Sequence, residues 1–137
     1  MVGCGGGLES LPEGLTAAEV NARRMPDARL AKAFNTLTSA YQRDVAEGRI
    51  EGPVAMFDAS EDAAAAEAAE ELVSGCGFEP VRIGGWAEVR LMEAPRRDGA
   101  VYGEAYRPDD ARRIAETAAA DLDRAALLAT ELRLPDG

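Results

Sequence analysis

The sequence predicts an α/β fold, an incomplete doubly wound parallel sheet of about three strands with flanking helices and a long C-terminal helix. Short apolar runs at Arg29–Phe34, Pro53–Phe57 and Phe78–Ile83 have the length and composition of strands. Between them lie stretches whose apolar residues recur at intervals of three and four, the period of a helix. Strands separated by helices join into a parallel sheet through right-handed crossovers, which leaves helices on both faces.

Each element has a local reason. Residues 1–14 are glycine-rich and read as a flexible end, leaving residues 15–137 as one domain. Thr16 and Glu19 form an S/T-x-x-E capping box, and Pro26 and Asp27 end the short helix that follows. Arg29–Phe34 is apolar on both sides, as befits a strand covered twice. A weaker helix from Leu37 to Glu47 closes at Gly48, and Asp58 with Glu61 reads as the start of an alanine-rich helix. There the stripe Ala65, Ala68, Ala69, Leu72, Val73 and Cys76 predicts a core face, with Cys76 inside it. Ala87–Glu93 is a short helical segment ended by Pro95, and Arg96–Pro108 is a loop turning at Asp98-Gly99. From Asp109 to Leu134, the stripe Ile114, Ala118, Leu122, Ala125, Ala129 and Leu132 predicts one long helix, with Arg112 and Glu116 paired on its outer side.

Composition narrows the function. The formal net charge of −10 argues against nucleic acid and anionic membrane as partners. The chain has no histidine, which excludes imidazole-based triads and general bases and histidine-containing zinc sites. Cys4 and Cys76 are far apart and form no C-x-x-C pair, a usage that fits a reducing cytoplasm. Neither a signal peptide nor a membrane-spanning apolar run is seen, so a cytoplasmic location is expected.

Three blocks carry more specific information: Ala28-Arg29-Leu30-Ala31-Lys32-Ala33-Phe34-Asn35-Thr36, then Val54-Ala55-Met56-Phe57-Asp58-Ala59-Ser60-Glu61-Asp62, then Gly77-Phe78-Glu79-Pro80-Val81. In order and spacing they resemble the second half of the NADP oxidoreductases that depend on a deazaflavin coenzyme, together with their predicted dinucleotide-binding relatives. The likeness covers roughly Thr16 to Pro95. It implies half of a Rossmann-like domain and hydride transfer between NADP(H) and a small-molecule redox partner such as a deazaflavin. By the same resemblance Phe34, Asn35 and Thr36 are cofactor-binding, and Leu91, Met92 and Glu93, followed by Pro95, wall the second substrate. No catalytic side chain is required, because positioning two cofactors face to face does most of the work.

The family's opening strand and G-x-G-x-x-G turn have no counterpart. Gly3-Cys4-Gly5-Gly6-Gly7-Leu8 offers G-x-G but puts leucine at the third glycine's place, and Pro12 and Gly14 interrupt the helix that should follow. The expectation is therefore a half-domain without the pyrophosphate cradle, acting as a homodimer or with a partner chain that covers its exposed sheet edge. A non-catalytic interaction or scaffold module is the rival reading, and a small-ligand pocket around Phe34, Trp86, Tyr102 and Tyr106 is a third. Simpler roles are also open: a turn or cap for Asn35, a snorkelling stem for Lys32, solvation for Arg96 and Arg97, and packing for Trp86.

Overall fold

The structure is a computed structural model, and it describes residues 14–135 of the 137. The Gly3–Leu8 segment lies outside them. In chain order the elements are α1 (Ala17–Arg24), β1 (Ala31–Lys32), α2 (Ser39–Ala46), β2 (Ala55–Ser60), α3 (Ala63–Gly75), β3 (Glu79–Gly84), a 3-10 turn (Val89–Met92), α4 (Pro108–Ala120) and α5 (Leu122–Leu132). They form an open three-stranded sheet, ordered β1-β2-β3, with helices packed around it. No helix among the described residues is long and apolar enough to cross a membrane.

The sheet is mixed, where an all-parallel one was expected. β2 and β3 are parallel, with Phe57 opposite Val81 and Asp58 opposite Arg82. The two-residue β1 instead runs antiparallel to β2, pairing Ala31 with Ser60 and Lys32 with Ala59. A parallel pair needs a connection that crosses the sheet. Here α2 does not cross it: Tyr41 and Val45 pack with Leu37, Val54 and Phe78, at the end where β2 and β3 begin. The chain thus leaves β1 and enters β2 at the same end.

Further differences are local. The cap of α3 is Asp62, whose side chain accepts the N–H of Ala65, whereas Asp58 lies inside β2. The inward residues of α3 are Ala66 and Val73, while Leu72 is 65% exposed and Cys76 is exposed at the C-cap. The long C-terminal helix is two helices. Asp121 adopts an extended conformation (φ −158°, ψ 103°), ends α4 and caps α5 by accepting the N–H of Arg124. The predicted apolar stripe nevertheless continues across the break, since Ile114, Ala118, Ala125 and Ala129 are all buried and Leu122 and Leu132 pack against them. Arg112 binds Glu79 and Asp109, and not Glu116. The capping box of α1 forms as read, with Thr16 and Glu19 bonded reciprocally.

One core lies between the sheet and the α4–α5 pair, centred on Phe57, Ile83, Ile114 and Tyr106. The phenol of Tyr106 meets Phe57 edge to face, with centroids 5.8 Å apart, and its hydroxyl donates to the carbonyl of Ala129 at 2.7 Å. A smaller core of Leu37, Val54, Met56, Val73, Phe78 and Ala105 occupies the other face and the amino end of the parallel strands.

Candidate functional site

The carboxyl ends of β2 and β3 and the start of β1 lie at one end of the sheet, the place where open α/β sheets bind ligands. A crevice of about 260 Å³ opens there between α1 and β1. Its walls are Ala18, Asn21 and Met25 from α1 and its end, Leu30–Ala33 and Asn35 from β1 and its flanks, and Trp86 from the turn after β3. An adjoining hollow of about 170 Å³ shares Leu30 and Trp86 and reaches Arg29, Glu61 and Asp62.

Phe34 takes a left-handed conformation, φ 63°, an uncommon geometry for a residue with a side chain. The turn it makes is secured by Gln42, whose amide donates to the carbonyls of Phe34 and Leu37 at 3.1 and 2.9 Å. The ring of Phe34 packs against the smaller core, and the next residue, Asn35, lines the crevice. The Asn35 side-chain nitrogen donates to the carbonyl of Met92 at 2.6 Å, which fixes the amide's orientation. Its Oδ1 is buried and accepts nothing. Such an atom is costly unless a donor arrives.

Beside it the ammonium of Lys32, the only lysine, is paired with Glu93. The other Glu93 oxygen accepts the N–H of Ala17 at 2.8 Å. Glu93 is thus a fork, holding the first amide of α1 with one oxygen and the crevice ammonium with the other.

The structure therefore joins the two sequence-predicted groups, 57 residues apart, through Asn35 and Met92. Their members stand in different places. Asn35 faces the crevice, and Glu93 reaches it through Lys32. Thr36, Leu91 and Met92 are buried; Thr36 accepts the N–H of Gly103 and Leu91 that of Val101 through their carbonyls. Trp86 both packs against the larger core and lines the crevice, so its packing and pocket readings coincide. Asn21 and Met25 are additions from the structure, since α1 carries no motif that distinguishes a lining residue from a solvated one.

The backbone amides around the crevice already have carboxylate acceptors. Asp62 holds Ala65, Glu61 holds Trp86 at 3.1 Å, Glu88 holds Gly85 at 3.0 Å, and Glu93 holds Ala17. Gly85 lacks a side chain where Glu61 needs room, because a Cβ there would stand 2.3 Å from the Glu61 carboxylate.

A larger open hollow, about 590 Å³, is ringed by Arg96, Arg97 and Arg133 with Asp98 and Glu104. Its guanidinium groups are engaged. Arg96 binds buried Glu104, Arg97 donates to the carbonyls of Arg90, Glu93 and Pro95, and Arg133 pairs with Asp98. Arg97 therefore ties down the 3-10 turn and is not merely solvated.

One titratable group was read from the sequence only as a helix start. Asp58 is completely buried in β2, and burial pushes its carboxyl up to about 8, with Glu70 adding to the effect and Arg82 opposing it. Glu70 is held below its ordinary range by its two bonds from Arg82, each 2.9 Å long. An aspartate within the apolar run Val54–Phe57 and Ala59 was a signal for it, masked by the resemblance of Asp58 and Glu61 to a capping box.

No family model, curated protein or solved structure matches this chain.

Proposed function

We propose that the crevice receives the ring end of a nicotinamide dinucleotide and orients it for hydride transfer to a second planar redox partner, a deazaflavin or similar ring. The observation that carries this reading is Asn35: its nitrogen is fixed on Met92, its oxygen is buried without a donor, and the residue lines a small crevice walled by Trp86 and Lys32. A carboxamide N–H would satisfy that oxygen, and an indole suits a flat ring.

The fit covers the ring end only. A volume of about 260 Å³ is too small for a whole dinucleotide, and carboxylates occupy the backbone amides at the starts of α1 and α3, where phosphates commonly sit. The anionic remainder belongs to a partner chain, a second copy or another protein. A bound dihydronicotinamide supplies the hydride; this chain's residues orient the ring and keep water from it.

The test is the thermal midpoint of the chain with NADPH and, separately, with reduced nicotinamide mononucleotide, for the wild type and Asn35→Ala. Ligand at ~100 times its dissociation constant stabilises by ~2.7 kcal/mol, a rise of several degrees. The rise is expected in the wild type and lost in a folded Asn35→Ala. Cooperative unfolding with no rise for either ligand would overturn the reading and leave the non-catalytic interaction module in its place.

A further inference from the structure

Helix α3 meets the sheet through an unusual stripe. Its buried positions are Ala66 and Val73, and the partly exposed Glu70 lies between them, four and three residues away, on the same side of the helix. Beneath it lie Asp58 of β2 and Arg82 of β3, aligned in register. Arg82 spans two bonds to Glu70, and no donor reaches either Asp58 oxygen. Of these two neighbouring carboxyl groups Asp58 is fully buried and Glu70 partly exposed, and their repulsion is relieved when Asp58 carries a proton, which can then bridge them. The other charges do not relieve Asp58. Glu67 on α3 acts on Arg82, and Lys32 of β1 sits opposite Ala59 and is paired with Glu93.

We propose that α3 is held on the sheet by a proton latch, in which one proton shared between Asp58 and Glu70, with Arg82 clamping Glu70, keeps the helix seated. The latch adds to a narrow apolar contact, since Ala66 and Val73 are the fully buried residues of the helix and Val73 alone joins the smaller core. The latch also touches the crevice: Glu61, just before the cap of α3, holds the N–H of Trp86. It stands whether or not the crevice takes a nicotinamide.

The direction of the pH effect follows from linkage. When α3 lifts, Asp58 meets water, returns to an ordinary carboxyl near 3.8, and loses its proton. Opening of α3 therefore becomes more frequent, by up to ~10-fold per pH unit, as pH rises from about 4, and levels off where the seated carboxyl itself ionises, about 8.

Hydrogen exchange of the whole chain between about pH 5 and 9, corrected for the intrinsic pH dependence of exchange, reads this directly. Peptides from α3 are expected to show the rise and plateau, those from α4 no such rise, and Asp58→Asn a flat response in both. Parallel behaviour of α3 and α4, or an unchanged slope in Asp58→Asn, would overturn the latch. Carbon-13 titration of the Asp58 carboxyl in the wild type gives a second reading that does not depend on the variant folding. A midpoint near 8 supports the latch, and one near 4 overturns it.

Discussion

On one face of the sheet Phe57, Val81 and Ile83 meet Ala111, Ile114 and Ala118 of α4, backed by Ala125 and Ala129 of α5 and sealed by Tyr106. On the other, α3 brings only Ala66 and Val73 fully buried and sets Glu70 between them, above a carboxyl that no donor reaches. The first face is held by apolar area and close packing, which respond little to solvent conditions. The second adds to its smaller apolar core a buried carboxyl whose protonation, on the latch proposed above, helps to seat α3. A small domain can thus keep its stability on one side and a pH-dependent element on the other, with the crevice at the end where the strands finish.

The largest expected effect tests the packed face. Tyr106→Ala removes a fully buried ring, its edge-to-face contact with Phe57 and its bond to Ala129, and should cost about 3–5 kcal/mol in denaturant unfolding. Tyr106→Phe, which keeps the ring and drops only the hydroxyl, should cost about 1 kcal/mol and leaves the Ala129 carbonyl as the group in need of a partner. Equal losses for the two variants would mean that the bond to α5, and not packing, dominates this face.

The charged face gives an effect of opposite sign. Asp58 has its folded carboxyl raised above the unfolded value, from 3.8 to about 8, so the folded protein retains a proton that the unfolded chain has released. The contribution of Asp58 to stability is therefore greatest below about pH 4, falls by up to about 1.4 kcal/mol per unit as pH rises, and is level above about 8, while Glu70, whose carboxyl is lowered, contributes with the opposite sign in the acid range. Asp58→Asn keeps a donor toward Glu70 without a titrating group, and should raise stability at neutral pH by on the order of 2–4 kcal/mol while flattening the profile. A loss of stability at pH 7 would show that the native carboxyl is useful to the fold and would remove the contrast between the faces.

A third expectation concerns the crevice. Glu93→Ala takes away the acceptor of Ala17 and the partner of Lys32 together, and should cost about 1–3 kcal/mol, with the loss of exchange protection concentrated in α1. Even loss of protection throughout the domain would mean that Glu93 supports the larger core and not the crevice wall.

How far the sequence could be read follows the same division. The capping box at Thr16 was legible because its pattern is local, and so was the stripe from Ile114 to Leu132, where large and small apolar residues alternate against charged ones. The break at Asp121 was not, because the helical period continues through it with little change of phase. The direction of β1 depends on where α2 packs, a tertiary fact with no sequence signature. Asn35 stood out through the block that surrounds it, but the carbonyl of Met92 that aims it and the fork at Glu93 are contacts between distant segments.

Helix α3 is the clearest failure, and it yields the smallest and most decisive effect. Six of its thirteen residues are alanine, so several rotations about its axis offer a nearly equal apolar stripe. Leu72, Val73 and Cys76 suggested one phase; the structure adopts another, which buries Ala66 with Val73, turns Leu72 and Cys76 to solvent and lets Glu70 bond Arg82. Cys76→Ser should therefore change stability by less than about 0.5 kcal/mol, as exposed substitutions do. Were the thiol inside the core, a buried hydroxyl without a partner would cost about 1–3 kcal/mol. Solvent-accessible thiol titration of the native chain separates the same alternatives without a variant: rapid labelling of Cys76 places Glu70 inward, and protection of Cys76 would turn Glu70 outward and dissolve the pairing on which the charged face rests.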